Sequence, residues 1–464
     1  MTNTLIKTRF APSPTGLLHI GNARTALFSA LLGDTFLLRI EDTDAERSRS
    51  EFVDGLLEDL AWLGIRWEEG PSNSVPTPLW YQSQRSDLYR EYYQKLEASG
   101  HAYPCFCSAQ ELEIHRKVQL SSGRPPRYSG KCAKLTPEEQ TARMAEGGQP
   151  TLRFRVEKGQ TVEFTDGVRG PQKFQSEDIG DFIIRRADGS AAFFFCNAID
   201  DSLMGVSRVV RGEDHLTNTP RQILILRALD LPIPEYAHSA LILGDDGAPL
   251  SKRNGSRSVR ELREAGFFPV AVLNVMARLG HHYESDELMD LASLKAGFRV
   301  TSLGRSPARF DITHLKHWQS LALRQVTDHE IDQWLNAETR ALVPNASLPI
   351  FREIVRSNCE SPSDAFIWAR ILFTDEPLDS AKLDMPDDSY FRAALAAHDA
   401  HPTDYSGFIA SLKELSGAKG KSLFMPLRMA LTGRHDGPEL AQLYQVLPST
   451  RIVHRLSAPL QMKD

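Results

Sequence analysis

"RFAPSPTGLLHIGNARTALF", Arg9 to Phe28, decides how the first part of this chain folds. An extended run ends at Phe10, Pro12 and Pro14 break it, and a helix-forming run follows from about Ile20. A strand, a proline-bounded turn and a helix beginning near His19 bring free backbone N–H groups and a positive helix end to one point. Such a point favours an anion. Gly16 and Gly21 stand five apart, as in a phosphate loop, yet Asn22 and Ala23 occupy the places of its Lys and its Ser or Thr. Cleavage of a terminal phosphate in the usual Mg-dependent manner is therefore not expected. Two readings stay open: a phosphate site in which His19 donates without a permanent charge, or a surface turn capped by a histidine.

Outward from this stretch the alternation continues. "TFLLRIED" predicts a buried strand that stops on carboxylates, and "SRSEFVDGLLEDLAWLG" a helix with Phe52, Leu56, Leu60 and Leu63 on one face and Gly64 as its cap. Alternating strands and helices imply a parallel sheet, whose ligands lie beyond the carboxyl ends of the strands. Ala11–Ser13 and Glu41–Asp44 fall there. From about Ala102 the texture changes to a cysteine trio, Cys105, Cys107 and Cys132, and a basic loop, "SSGRPPRYSGK". Two predicted hairpins follow, "LRFRVEKGQTVEF" with Leu152, Phe154 and Val156 alternating, and "DFIIRRADGSAAFFF" turning at Asp188-Gly189. This reads as a β-rich insertion, after which "SRVVRGEDH" and "HSALILGDDGAPLSK" resume the strand–loop pattern. Beyond about Leu315 the chain is predicted helical, as two small bundles, with a capping box at Thr327 to Glu330 and another helix opened by Ser361-Pro362 with Asp364.

Composition bounds the rest. The 464 residues exceed one ordinary core, so about two to four domains are expected. Hydrophobic residues make up 41% and charged ones 25%, as in a soluble globular protein. No apolar run reaches the length of a membrane span and "MTNTLIKTRF" lacks a signal-peptide core, so a cytoplasmic protein without membrane partners is expected. Five cysteines with one tight trio fit a reducing compartment; the trio either ligates a metal, with a fourth ligand, or is three free thiols. The net charge of −6 does not advertise nucleic acid, although "SKRNGSRSVRELRE" concentrates Lys252, Arg253, Arg257, Arg260 and Arg263 against two Glu. Alone, that run is equally a solvated helix face.

"APSPTGLLHIG", "LRIEDTD", "VVRGEDHLTNTPRQ", "LSKRNG" and "MPLRMALTG", in this order and covering nearly the whole chain, closely resemble the bacterial type of glutamyl-tRNA synthetase. "HIGN" corresponds to the HIGH motif of class I aminoacyl-tRNA synthetases and "PLSKR" to their KMSKS loop. The resemblance implies an α/β, Rossmann-like parallel-sheet catalytic domain with an inserted β-rich acceptor-binding domain, followed by an all-α anticodon-binding region. The expected divisions are 1–100 and 191–255 for the two parts of the catalytic domain, 101–190 for the inserted acceptor-end and zinc domain, 256–325 for a stem-contact region and 326–464 for the helical anticodon-binding region.

The implied activity is glutamate–tRNA ligation: glutamate is activated with ATP and Mg2+ to glutamyl-adenylate, then transferred to the 3′-terminal ribose of tRNA(Glu). The opening turn would hold ATP for cleavage at its α-phosphate. By resemblance His19 and Lys252 stabilise the transition state, and Gly21, Asn22, Ser251 and Arg253 join them in binding ATP. Arg9, Ala11, Ser13, Glu41, Phe193, Asn197 and Arg211 bind glutamate, the two arginines taking its side-chain carboxylate, which a bidentate fork suits best. The sequence departs from the family pattern at Phe193, where a strand Tyr is usual, at Pro249, where KMSKS begins with Lys, and at Lys134, where some relatives have a zinc-ligating His. Tyr128 becomes the expected fourth ligand of one structural Zn2+ beside Cys105, Cys107 and Cys132, with His115 behind it. Asn358 stands where discriminating relatives carry an Arg that reads the third anticodon base. Two alternatives follow: an enzyme that also charges tRNA(Gln), or a tRNA-binding paralogue that has lost catalysis. A monomer is expected.

Overall fold

The structure, a computed structural model, describes residues 5–461 apart from Ala45, 72–79, Arg124, Asp245, Pro249, 251–256 and 379–386. The chain divides into two units, Met1–Leu262 with Val272–Ile312, and Arg263–Ala271 with Thr313–Asp464.

The first unit opens with β1 (Lys7–Phe10), α1 (Ile20–Leu32) and β2 (Thr35–Leu38). β1 and β2 pair in parallel, Lys7 with Thr35 through Phe10 with Leu38, and α1 buries Ile20, Ala23, Leu27 and Leu31. In α2 (Ser50–Trp62) Val53, Leu56 and Leu60 form the buried face and Phe52 is half-buried at its edge. Gly64, at φ 74°, turns the chain after α2, with its N–H on the Ala61 carbonyl at 3.0 Å. The chain continues through α3 (Ser86–Ala98), β3 (Ala102–Cys105), α4 (Ala109–Ser121), α5 (Pro137–Ala145) and β4 (Thr151–Phe154). Next come β5 (Thr161–Asp166), β6 (Gly170–Gln175), α6 (Ser176–Ile179), β7 (Phe182–Arg185) and α7 (Phe193–Leu203). The parallel pattern returns with β8 (Arg208–Gly212), α8 (Thr219–Ala228) and β9 (Glu235–Ser239), β8 pairing with β9. Ser207 N–H donates to the Lys7 carbonyl at 3.0 Å, which sets β8 beside β1.

Both predicted hairpins need correction. β4 joins an antiparallel sheet in the order β3-β4-β7, while β5 pairs only with β6. Between them, side chains take the N–H groups a hairpin partner would have used: Asp181 accepts from Val156 N at 2.8 Å and Glu177 from Gly159 N at 2.7 Å. The Asp188-Gly189 turn does form, with Gly189 at φ 86° and Arg186 N–H on the Ser190 carbonyl at 2.9 Å. After one bridge, Arg185 to Ala191, the chain enters α7. Phe193 therefore opens a helix and does not lie in a strand. Phe195, Cys196 and Ile199, all buried, show helical spacing winning over the aromatic run's strand propensity.

In the second unit the predicted capping box forms ahead of the helix Asp328–Trp334, and the predicted start at Ser361-Pro362 opens the helix Pro362–Phe373 with a capping box of its own. The expected two bundles are one: Leu323, Phe351, Trp368, Phe408, Leu427 and Leu456 belong to a single apolar cluster.

Candidate active site

β1 and β2 end on the segments expected to meet a ligand, and Ala11, Ser13 and Glu41 from those segments line a cavity. The cavity, of about 380 Å³, is walled by Arg9, Ala11, Ser13, Gly21, Asn22, Glu41, Phe193, Asn197 and Arg211, with His215 and Leu241 among the others. Residues from three well-separated parts of the chain thus converge. His19 stands at the N-cap of α1, two residues before Gly21, and is not on that wall among the described residues. Leu18 and Ile20 bond the backbone of Val259 and Arg257, so the HIGH-like segment pairs with the chain just past residues 251–256. Ser251, Lys252 and Arg253, and Pro249 before them, lie outside the described residues.

Beneath the cavity lies a buried charge cluster that sequence reading did not anticipate. Arg39, fully buried, meets Asp201 at 2.7 Å, Glu41 at 3.7 Å and Asp200 at 3.8 Å, and donates to Asn197 Oδ1 at 3.0 Å. Burial opposes its charge, but Asp201, Asp200 and Glu41 overcome that and raise its pKa. Arg9 Nε reaches both oxygens of Asp201 at 3.2 Å, so this cavity arginine is also an ion-pair partner. Arg85, Gln82 and Tyr89 complete the shell of Asp200. Burial pushes the Glu41 carboxyl up to about 7 despite Arg39 and Arg9. An arginine inside the apolar run "TFLLRI" was the available signal for this cluster.

Arg211 is held on three sides and open on one. Its Nη2 donates to Thr219 at 2.8 Å and Gln222 at 2.7 Å, and its Nε to His238 at 3.1 Å. Its buried Nη1 finds no partner among the described residues. Such a donor is satisfied only by something that enters the cavity. Phe193 stacks on His215 with ring centroids 5.3 Å apart.

The cysteine trio assembles. The three sulfurs lie within 4.8 Å of one another. Tyr128 Oη sits 3.4 Å from Cys105 Sγ and 3.5 Å from Cys107 Sγ, and accepts from Cys132 N at 2.9 Å. Three thiols close enough to hold a metal ion, with one phenol oxygen beside them, give four donors at a common point, the number a closed tetrahedral site uses. His115, on α4, is exposed and outside this group. In the second unit Asn358 ends the helix Leu348–Asn358, and its amide donates to the Ile354 carbonyl at 2.9 Å. Arg356 beside it is engaged by Asp328 at 2.7 Å, Glu353 at 2.8 Å and the Val326 carbonyl.

A family model described as "tRNA synthetases class I (E and Q), catalytic domain" matches residues 5–317, and one described as "Anticodon binding domain" matches residues 330–460. With that catalytic match spanning well over half its length, the chain belongs to the class I tRNA synthetases of the E and Q group. "Glutamate--tRNA ligase 1" of Methylococcus capsulatus is 62% identical over 97% of this chain and 98% of its own. "Glutamate--tRNA ligase 2" of Nitrosococcus oceani is 55% identical over 98% of each. A crystal structure of a glutamate tRNA ligase from Elizabethkingia meningosepticum in complex with its amino acid superposes with a TM-score of 0.86 at 25% identity, covering 99% of this chain and 100% of that one.

Proposed function

We propose that the chain is a glutamate–tRNA ligase. The observation that carries the reading is the unpartnered, buried Arg211 Nη1 in a cavity that also holds Arg9 and Glu41. Two arginines suit the side-chain carboxylate, while Glu41, with Ser13 and Ala11 nearby, suits the α-ammonium; Asn197 and Phe193 shape the remaining wall. The α-carboxylate is already a nucleophile at neutral pH, so the first step needs positioning and charge stabilisation and no side-chain base. An α-carboxylate oxygen bonds the α-phosphorus of ATP and pyrophosphate leaves. The 2′-hydroxyl of the terminal tRNA ribose then attacks the glutamyl carbonyl and AMP leaves. His19, Lys252, Gly21, Asn22, Ser251 and Arg253 take the ATP roles that the two signature motifs imply. Mg2+ accompanying ATP would neutralise phosphate charge. Cys105, Cys107, Cys132 and Tyr128 would hold one structural Zn2+, remote in role from the reaction.

The parts of the reading divide as 1–100 and 191–255 catalytic, 101–190 acceptor-end and zinc, 256–325 stem-contact, 326–464 anticodon. Glutamate, ATP and tRNA meet in the cytoplasm, where a monomer would act. No helix among the described residues is long and apolar enough to cross a membrane. A catalytically lost paralogue would have no use for an arginine held open at Nη1. Charging of tRNA(Gln) as well is favoured by one observation. With one amide N–H on the Ile354 carbonyl, Asn358 still offers a neutral oxygen and a second N–H, so it can pair with either base edge where an Arg would select one.

ATP–pyrophosphate exchange with glutamate, run with and without tRNA, tests the activity; exchange that glutamate does not stimulate even with tRNA present refutes it. Charging tRNA(Glu) and tRNA(Gln) side by side tests the choice. Metal analysis of protein purified without chelator should find about one zinc per chain.

A further inference from the structure

Arg211 and His238 are register partners on the parallel strands β8 and β9, which puts their side chains on one face. Both are buried, as are Thr219 and Asp166. A guanidinium has five N–H donors and no acceptor. In Arg211, Nε–H goes to His238 Nε2 and Nη2 to Thr219 and Gln222, leaving the Nη1 edge for the cavity. Since the Nε of an arginine only donates, His238 Nε2 must carry a lone pair. The ring proton therefore sits on Nδ1, 2.5 Å from Asp166 Oδ2. Burial lowers the pKa of His238, in keeping with a neutral ring beside a cation.

Asp166 is itself locked. Its Oδ1 accepts from the backbone N–H groups of Val168 at 2.9 Å, Arg169 at 2.8 Å and His238 at 3.2 Å. It closes β5, in the stretch that interrupts the parallel pattern, so a residue distant in sequence dictates the tautomer at the cavity.

We propose that Asp166 and His238 are positioning residues for amino-acid recognition. Asp166 fixes the Nδ1–H tautomer of His238, and the resulting Nε2 lone pair orients the Arg211 fork so that Nη1 meets the substrate's side-chain carboxylate. The proposal rests on the glutamate reading above and adds two residues to it. Neither touches the reacting atoms.

Asp166→Asn is the informative change. Three N–H donors keep the amide oxygen at the Oδ1 position, so the NH2 group faces His238 Nδ1 and forces the opposite tautomer. An Nε2–H then confronts the Arg211 Nε–H. The KM for glutamate should rise about tenfold or more, with kcat and the KM for ATP within about twofold. Thr219→Val, nearly isosteric, removes one of the Arg211 bonds and the 3.0 Å contact of Thr219 Oγ1 with His238 Nε2, and should raise the glutamate KM about threefold. Nitrogen-15 NMR of histidine-labelled protein should report Nδ1–H for His238 in the wild type and Nε2–H in Asp166→Asn. A folded Asp166→Asn protein with wild-type glutamate KM overturns the relay; if that variant does not fold, an unchanged KM in Thr219→Val does so. A wild-type chain that ignores glutamate would instead sink the functional reading, while the labelled spectrum still reports whether Asp166 sets the tautomer.

Discussion

The floor of the cavity and the core of the helical unit are built on opposite plans. Under the cavity, Arg39, Asp200 and Asp201 are essentially out of water; Arg39 meets Asp201 at 2.7 Å, and Arg85, Gln82 and Tyr89 bond Asp200. In the helical unit the core is apolar; Arg352 pairs with Asp332 at 2.6 Å near the surface, and Arg455 donates to the Leu431 carbonyl. Buried ion pairs rarely stabilise a fold better than well-packed hydrophobic residues of the same volume. Charges kept in the floor therefore serve geometry: they hold Arg9, Glu41 and Asn197 in place at the cavity wall. The helical unit, with no reacting atoms to align, gains its stability from burial and dispersion.

The largest effect that would sharpen this contrast is Arg39→Ala. It takes from buried Asp201 its 2.7 Å partner, leaving Arg9 at 3.2 Å, and should destabilise the protein by about 3–5 kcal/mol, read from urea unfolding. A loss below about 1 kcal/mol would mean that water or other side chains satisfy that carboxylate. Arg211→Ala should lower kcat/KM for glutamate by about 10²–10³-fold, because its open edge is spent on substrate, and should cost only about 1–3 kcal/mol in stability for the bonds to Thr219, Gln222 and His238 that it frees. An equal loss in stability and activity would erase the distinction drawn here between holding and recognising.

Glu41 gives a pH test. Its carboxyl, raised to about 7 by burial against the opposing pull of Arg39 and Arg9, must be ionised to receive the substrate ammonium. Below that pH the protonated form accumulates, so kcat/KM for glutamate should fall by about tenfold per pH unit. Glu41→Gln should be weaker overall and should lose that acid limb; an unchanged profile would assign the titration elsewhere. The smallest change belongs to the helical unit: Ile354→Val, fully buried in its core, should cost about 1 kcal/mol and leave glutamate activation unaltered. Thermal unfolding beside pyrophosphate exchange separates the two.

Local chemistry was enough to read the strand–turn–helix at Arg9–Phe28, whose helix runs Ile20–Leu32, and the helix starts at Thr327 and Ser361. Apolar periodicity, proline breaks and caps act over a few residues and so are written in neighbouring letters. The cysteine trio was legible because its residue type is scarce and chemically specific. Pairing was not legible. Whether β4 turns back on β5 depended on Asp181 and Glu177, acidic side chains beyond the predicted hairpin, which took its N–H groups. The partners of Arg39, and the line from Asp166 through His238 to Arg211, join residues with nothing between them in sequence to announce the contact. The sequence by itself determined the local elements and the kinds of chemistry available. Only the tertiary structure decided which buried donor meets which acceptor, because in a core sealed from water that choice is made by strand register and packing across the whole unit.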